Sequence, residues 1–257
     1  MDDAEVLYET HDHVGVITIN RPEARNALTW SAYAGLEAAV RDSQARCLIV
    51  TGAGSAFCSG DDVKQIMGGG DRPPDLSSRE PRLTPAADAL LHTDIPVIAA
   101  VNGAAVGWGM ELALFADLRI ASDKARFGEL FVLRGLVTDV AGIGRLSSLV
   151  GREKAAELLF TGDIIDAAEA QRIGLVSRVV PHDELMDSAL ALARRIAANP
   201  PLAVQSLKAG LRTAVDPDWN ELGRWVSTNL GRLFKTNDHR EGVKSFLEKR
   251  APNYTGT

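Results

Sequence analysis

Short apolar runs alternate with amphipathic segments along the first half of the chain. Four of these runs have the length and the flanking turn residues of strands: Val14–Ile19, Cys47–Thr51, Ile95–Val101 and Leu118–Ala121. Leu28–Val40 instead carries apolar residues at helical spacing. Residues 68–82 are rich in Gly, Pro and charged residues, so we expect a mobile loop there. The pattern predicts an α/β core.

The second half of the chain changes to a mostly helical pattern, interrupted by one strand-like run at Leu175–Val180. The main helical segments are Asp183–Ala197, Leu202–Ala214, Trp219–Phe234 and Arg240–Lys249. An apolar stripe along the third of these is a candidate intersubunit surface. We therefore divide the chain into a core of residues 1–195 and a C-terminal helical region of residues 196–257.

Composition excludes several classes of protein. The 28 Lys and Arg residues against 34 Asp and Glu give a net charge of −6, which argues against nucleic acid as a partner. The most apolar stretch, Ile95–Ala105, is about half as long as the roughly 20 residues that a membrane span requires. Cys47 and Cys58 form no metal-binding or redox motif, and the acidic N-terminus has no signal pattern. We expect a cytoplasmic protein without a metal site.

Residues 56–62 (AFCSGDD) follow the strand that ends at Thr51. Gly60 permits an unusual backbone conformation, so the N–H groups around it could point at one ligand atom. The alternative is an ordinary turn from strand to helix, capped by Ser59 or Asp61. Both interpretations stay open on these residues alone.

A second glycine-rich segment covers residues 101–115, with a helix that opens just after Gly107. The first N–H groups of a helix have no intrahelical partner and therefore form an anion site. Glu111 lies three residues after Trp108 on the same helical face, and its side chain leans toward the N-terminus. The alternative role for Glu111 is a favourable contact with the helix dipole. The helix is apolar nearly all round, however, and a buried Glu there is unfavourable unless it is used.

Several segments together resemble the enoyl-CoA hydratase/isomerase superfamily, also called the crotonase superfamily. They lie in order along essentially the whole chain: NRPEARNAL at 20–28, AFCSGDDV at 56–63, the run at 96–114, ADLRIAS at 116–122, the run at 145–180 and the C-terminal FLEKRAPNYTG. The resemblance implies a crotonase-like spiral of strand-strand-helix units with a C-terminal helical trimerisation region. It also implies an acyl-CoA thioester substrate, a homotrimer or a hexamer of two trimers, and no metal or redox cofactor.

The resemblance further implies a site in which two backbone N–H groups stabilise the enolate of the thioester. By position these groups belong to Asp61 and Trp108, although the family usually has Gly where this chain has Trp108. The residues that the resemblance places at coenzyme A or the acyl group are Ala24, Arg25, Ala56, Cys58, Ser59, Gly60 and Phe131. The alternative for Arg25, expected near the CoA phosphates, is a solvated loop cation.

The residues leave the reaction type open. Hydratases of the family resemble one another in having two Glu residues, and Glu111 matches the first. The second position is Phe131 here, with Glu129 two residues earlier, displaced by roughly 6–7 Å on an extended segment. Asp139 falls where some double-bond isomerases and a dehalogenase of the superfamily carry a working Asp. Its alternative is a helix N-cap, because Val140–Leu149 has a helical pattern.

We therefore expect hydration or double-bond migration of an enoyl-CoA, with Glu111 and Asp139 as the acid/base pair. Migration needs a carboxylate that removes a proton from carbon and a group that returns it, which such a pair can do. Glu129 is the reserve candidate. Two alternatives remain: thioester hydrolysis or C–C cleavage of a ring-derived acyl-CoA, and an acyl-CoA-binding protein without catalysis.

Overall fold

The computed structural model describes residues 4–67 and 82–257, and within these ranges strands and helices alternate along the core. The strands are β1 (Val6–His11), β2 (Val14–Ile19), β3 (Cys47–Gly52), β4 (Ala56–Cys58), β5 (Val97–Val101), β6 (Ala104–Val106), β7 (Leu118–Ser122), β8 (Arg126–Gly128), β9 (Ile165–Asp166) and β10 (Arg178–Val180). The helices are α1 (Trp30–Arg41), α2 (Pro85–His92), α3 (Trp108–Phe115), α4 (Val140–Val150), α5 (Arg152–Thr161), α6 (Ala167–Arg172), α7 (Leu185–Ala197), α8 (Pro201–Val215), α9 (Trp219–Leu233) and α10 (Asn237–Leu247).

The strands of the described residues form two sheets. The larger sheet has the order β1-β2-β3-β5-β7-β10, and its neighbours are parallel except for the β1–β2 pair. The smaller sheet has the order β4-β6-β8-β9, and only β8–β9 is antiparallel. Each of the pairs β3-β4, β5-β6 and β7-β8 places its first strand in the larger sheet and its second in the smaller one, and a helix follows. This arrangement confirms the predicted α/β spiral of strand-strand-helix units.

Both faces of the central strands of the larger sheet are covered, which explains their continuous apolar runs. Every residue of β3 is buried. Leu48 and Val50 point into the main core, where α1, α2 and α3 pack. Their neighbours Cys47 and Ile49 point to the other face, which α7 covers with an alanine-rich stripe. The alternation follows from the two-residue period of a strand.

Two predicted strand boundaries move for local reasons. The run from Ile95 becomes a strand only at Val97, after Pro96, whose carbonyl accepts from the Leu48 N–H at 2.8 Å. The run Leu175–Val180 is a strand only from Arg178. At the start of this run the N–H of Leu175 instead donates to the Ala170 carbonyl at 2.9 Å, in the turn that ends α6.

The C-terminal helices follow the core, and α7 ends at Ala197, close to the predicted boundary between residues 195 and 196. Lys208 of α8 connects the two parts, since its Nζ pairs with Asp117 at 2.7 Å and donates to the Ile95 carbonyl at 2.8 Å. The division into two regions stays a prediction. Within the described ranges no helix has the length and apolar character to cross a bilayer. The predicted loop at 68–82 falls, apart from Arg82, outside the described residues.

Two buried amides hold the start of β4. Asn26 has a left-handed backbone, and its Nδ2 donates to the carbonyls of Ala53 at 2.9 Å and Ala56 at 2.7 Å. Its Oδ1 accepts from the Arg21 N–H at 2.9 Å. Asn102 also donates to the Ala56 carbonyl, at 3.2 Å. The segment that leads into residues 56–61 is therefore fixed by side-chain hydrogen bonds.

We expect Asn26→Ala to lower the free energy of unfolding by about 2–3 kcal/mol, because it leaves buried backbone groups without partners. The control is Asn199→Ala, whose amide donates to the Arg195 carbonyl at an exposed helix end. It should change stability by less than about 0.5 kcal/mol. Denaturant unfolding measures both variants, and equal losses would contradict the role given to Asn26.

Candidate active site

Two backbone turns meet where β4 and β6 end. The strands pair in parallel through Ala56 and Ala104, so both chains leave the small sheet at the same edge. Gly60 and Gly107 form the turns with φ of 91° and 56°, a region that favours glycine. A Cβ on Gly60 would lie 3.3 Å from the backbone N of Trp108. The Gly60 turn therefore contacts the N-terminus of α3.

The close approach of these segments depends on two further glycines. A Cβ on Gly103 would lie 2.1 Å from the Ser55 carbonyl oxygen, and one on Gly109 would lie 2.0 Å from that of Cys58. Both distances fall far inside van der Waals contact. Only glycine fits at these two positions without moving one of the backbones.

The two candidate N–H donors of the oxyanion hole lie on these turns. Trp108 is the first residue of α3, so its N–H has no partner within the helix. Leu28 binds the turn on one edge, accepting from the Asp62 N–H at 2.8 Å and donating to the Gly60 carbonyl at 2.8 Å. Successive backbone N–H groups of an extended segment point to opposite edges, so the N–H of Asp61 points away from Leu28. Their joint action on one oxygen stays a prediction.

Glu111 is fully buried on α3, and its carboxylate reaches the N-terminus of another helix, α4. It accepts from the N–H of Ala141 at 3.0 Å and from that of Gly142 at 3.1 Å. A Cβ on Gly142 would lie 2.7 Å from Glu111 Oε1, so a larger residue there would displace the carboxylate. The partner of the Glu111 charge is therefore the α4 N-terminus rather than that of its own helix.

A threonine hydroxyl connects Glu111 to a second buried carboxyl group. Thr138 Oγ1 forms a short hydrogen bond with Glu111 Oε1 and a 2.8 Å hydrogen bond with Glu129 Oε2. Glu129 is 1% exposed, and its Oε1 has no partner among the described residues. Glu129 therefore joins the site through Thr138. Phe131, at the position of the family's second Glu, is also buried, and its side chain has no polar group.

Asp139 has the N-cap placement that the sequence left open, and its role as an acid/base group stays a prediction. It is the N-cap of α4, where its Oδ1 accepts from the Val140 N–H at 2.8 Å. Its Oδ2 accepts from the indole Nε1 of Trp108 at 3.1 Å. The same indole packs edge-on against the ring of Tyr33, with centroids 4.7 Å apart. Trp108 therefore points its side chain at one candidate acid while its backbone N–H remains at the turn.

Burial raises the pKa of every carboxyl group in this cluster. It brings the pKa of Glu129 to about 8 and that of Asp61 to about 6, even though Tyr33 donates a 2.5 Å hydrogen bond to Asp61. The pKa of Glu111 is raised well above its usual range, first by burial and then by the charges of Glu129 and Asp139. Burial also raises the pKa of Asp139. Carboxyl groups of this kind can carry protons near neutral pH.

The residues expected at coenzyme A lie around one turn. The Arg25 carbonyl accepts from the Ser59 N–H at 3.1 Å, and the Ala24 carbonyl accepts from the Ser59 hydroxyl at 3.4 Å. Ala56 and Cys58 are buried, whereas the Arg25 side chain is exposed. The structure thus brings residues 24–25 next to residues 58–60. Their contact with coenzyme A stays a prediction.

Comparison with known proteins identifies the family. A family model described as enoyl-CoA hydratase/isomerase matches residues 9–257. The chain belongs to the enoyl-CoA hydratase/isomerase family. The putative enoyl-CoA hydratase/isomerase YngF of Bacillus subtilis is 37% identical over 269 aligned positions that cover all of both chains. The short-chain-enoyl-CoA hydratase of Clostridium acetobutylicum is 36% identical over 95% of each chain.

Solved structures agree with this assignment. The structure of EchA1_1 from Mycobacterium paratuberculosis matches all of both chains with a TM-score of 0.87 at 36% identity. The resemblance stated from the sequence motifs is therefore confirmed, and so is the prediction of an enzyme of the hydratase/isomerase type at the level of the family.

Sequence reasoning missed two members of the site, Thr138 and Tyr33. Thr138 comes directly before the predicted N-cap, and Tyr33 lies on a helix with an otherwise ordinary apolar face. A polar residue next to a candidate catalytic Asp was a usable signal for Thr138. For Tyr33 the sequence offers none, because its partners Asp61 and Trp108 come from distant segments. In the described part of the chain no three His, Cys, Asp or Glu side chains are arranged to hold a metal ion.

We expect Gly109→Ala to lower the free energy of unfolding by about 1–3 kcal/mol, because the new methyl group overlaps the Cys58 carbonyl oxygen. Acyl-CoA binding should weaken as well, since the two turns are forced apart. Gly210→Ala in α8 is the control, because a Cβ there meets nothing within 4 Å. It should leave stability unchanged or raise it by up to about 1 kcal/mol. Denaturant unfolding and ligand titration measure both, and a neutral Gly109→Ala would refute the close approach.

Proposed function

We propose that this protein catalyses hydration or double-bond migration of an enoyl-CoA through a thioester enolate. The observation that carries the proposal is the position of Glu111. Its buried carboxylate lies on the first turn of the helix whose first N–H belongs to Trp108. A proton carrier and a candidate oxyanion donor therefore come from one rigid element, as enolate chemistry requires.

The enolate oxygen is held, in this proposal, by the backbone N–H groups of Asp61 and Trp108. The contact between the Gly60 turn and the Trp108 nitrogen supports the pairing. Each donor of this kind lowers a reaction barrier by about 2.7–4 kcal/mol. The donors are backbone groups, so the replacement of the family's usual Gly by Trp108 leaves this function available.

Glu111 and Asp139 are the proposed acid/base pair. The N–H groups at the α4 N-terminus favour the ionised form of Glu111, in which it takes the proton from the acyl carbon. Asp139 is oriented by the Trp108 indole, and burial raises its pKa, so it can hold the proton that it gives to another carbon of the acyl chain. The proton taken up by Glu111 then passes to Asp139 before the next turnover. Double-bond migration is the reaction that this pair performs without a second Glu at the position of Phe131.

A panel of saturated, 2-enoyl and 3-enoyl CoA thioesters with product identification tests the proposal. A 3-hydroxyacyl product identifies hydration, and a shifted double bond identifies migration. Free acid and CoA, or a cleaved carbon chain, would indicate the thioester hydrolysis or C–C cleavage that the residues left open. Binding of all thioesters without any product would indicate a non-catalytic acyl-CoA-binding protein and overturn the proposal.

The ligand is proposed to enter along the turn of residues 24–25, with Arg25 at the CoA phosphates. Backbone groups of Ala56, Cys58, Ser59 and Gly60 line the path to the acyl site, and coenzyme A is part of the substrate rather than a cofactor. Cys58 is a free, buried thiol whose pKa burial raises to about 12, so it stays unreactive. Its free state suits a reducing cytoplasm.

We propose a homotrimer or a hexamer of two trimers. Leu207, Leu211 and Val215 lie on one face of α8, four residues apart, and are 69%, 64% and 66% exposed. A row of exposed apolar side chains of this kind indicates a protein interface.

Sedimentation at micromolar concentration should therefore show a trimer or hexamer. Leu211→Glu should shift the protein toward monomer, because a charge would be buried in the interface. Thr213→Glu, on another face of the same helix, is the matched control and should leave the assembly intact. A monomeric wild-type chain would contradict the prediction.

We expect Glu111→Gln to lower turnover by at least about 10²-fold while acyl-CoA binding survives, because an amide cannot carry the proton. Steady-state kinetics and a ligand titration measure the two effects. The control is Glu9→Gln on the exposed part of β1, which should keep full activity.

Asp139→Asn should cause a similar loss if migration is the reaction. Asn is as good an N-cap as Asp, so α4 remains stable and the loss reports chemistry. Full activity of Glu111→Gln would reduce Glu111 to a structural partner of α4 and end the proposed mechanism.

A further inference from the structure

One hydroxyl group lies between two buried carboxyl groups. Thr138 Oγ1 is hydrogen-bonded to Oε1 of Glu111 and, at 2.8 Å, to Oε2 of Glu129. A threonine hydroxyl carries a single proton and can donate to only one of them. The other carboxyl group must therefore carry a proton and donate it to Oγ1.

The surroundings decide which group carries the proton. Glu111 accepts from the backbone N–H groups of Ala141 and Gly142, a setting at a helix N-terminus that stabilises the ionised form. Glu129 has only the bond to Thr138, and its Oε1 has no partner in the described part of the chain. A bare, buried carboxylate oxygen is far less favourable than the bare carbonyl oxygen of a neutral acid. The hydrogen bonds thus fit a protonated Glu129 and an ionised Glu111.

We propose that Glu129 is a positioning residue that sets the protonation state of Glu111 through the Thr138 hydroxyl. Glu129 donates to Thr138 Oγ1, Thr138 donates to Glu111, and the two carboxyl groups share one proton. This inference rests on the proposed function, in which Glu111 moves the substrate proton. It gives Glu129 a role although it lies two residues before the position of the family's second Glu.

The proton balance of the step is simple. Ionised Glu111 takes a proton from the acyl carbon: the C–H bond breaks, its electron pair stays in the thioester enolate, and an O–H bond forms on Glu111. Return of the proton reverses these changes. In the free enzyme the shared proton can also shift, from Glu129 to Thr138 and from Thr138 to Glu111, with no change in total charge. Glu129 therefore determines whether Glu111 starts as a base or as an acid.

The charged groups around the pair predict a pH dependence. Glu129 and Glu111 face each other and Asp139, whose charge also raises the pKa of Asp61. Burial raises the pKa of Glu129 to about 8 and that of Glu111 well above its usual range, so the pair keeps a proton at neutral pH. The two backbone N–H groups that bind Glu111 favour Glu129 as the group that holds it. Above pH 8 the proton is lost, and Thr138 then faces two carboxylates. Turnover should be bell-shaped in pH, with the acid limb from the first proton of the pair and the alkaline limb from the second.

Rate–pH profiles of the wild type and of variants at Glu129 and Thr138 test the inference. In Glu129→Gln the amide still donates to Thr138 but cannot ionise, so the alkaline limb should disappear. Its maximal turnover should fall by about tenfold or less, the equivalent of one hydrogen bond. Thr138→Val removes the donor to Glu111 and should move the acid limb to higher pH. Thr138→Ser keeps the hydroxyl and should restore the wild-type profile. An alkaline limb that stays in place in Glu129→Gln would overturn the inference.

Infrared difference spectra of the protein without substrate give a second readout that does not depend on activity. The wild type at pH 7 should show the band of a neutral carboxylic acid that Glu129→Gln lacks, and the band should fade as the pH rises through about 8. A band that persists in Glu129→Gln and disappears in Glu111→Gln would place the proton on Glu111 and overturn the inference. If Glu129→Gln does not fold, the wild-type titration decides: no loss of the band up to pH 9 refutes the shared proton.

The two proposals fail separately. An inactive Glu111→Gln together with an unchanged pH profile in Glu129→Gln would end this inference and leave the proposed function intact. A fully active Glu111→Gln would end the proposed function, whereas the infrared titration would still report the shared proton.

Discussion

The close approach of two backbones is the constraint on which the site depends. Residues 55–60 and 103–109 run so near each other that a single methyl group at Gly103 or Gly109 would overlap a carbonyl oxygen. The amides of Asn26 and Asn102 hold the first of these segments from both sides. Because the strands β4 and β6 are parallel, both segments turn at the same edge, and the start of α3 comes against the Gly60 turn. The position of Glu111, one turn along α3, follows from that contact.

Burial of several carboxyl groups in one place is unfavourable, and the fold limits this cost with specific partners. The N-terminus of α4 donates hydrogen bonds to Glu111, and the Val140 N–H and the Trp108 indole donate to Asp139. The Thr138 hydroxyl connects Glu111 to Glu129. Burial disfavours the charge that remains, so the pKa values of these groups rise and protonation removes part of the charge. The same feature that makes the cluster unfavourable for stability makes it able to exchange protons near neutral pH. The proposed proton transfer therefore depends on carboxyl groups whose charge is only partly balanced in a buried site.

Much of this could be predicted from the sequence, because it depends on local pattern. The strand Val14–Ile19 has the predicted bounds, and the apolar surroundings of Glu111 already indicated its burial. What the pattern could not show depends on long-range geometry. An extended segment would place Glu129 away from the site, yet the hydroxyl of Thr138, on another loop, connects it to Glu111. The stripe on α9 is likewise divided: Trp219 is buried against its own chain, whereas Trp225 is 51% exposed.

In the proposed mechanism, Glu111 moves a proton at the acyl α-carbon next to a backbone oxyanion hole. Incubation of a saturated acyl-CoA in D₂O, followed by mass spectrometry of the thioester, tests it most directly, since exchange requires the enolate but no net reaction. We expect deuterium incorporation by the wild-type protein and none above background by Glu111→Gln. Tight binding of the thioester by the wild type without any incorporation of deuterium would contradict it.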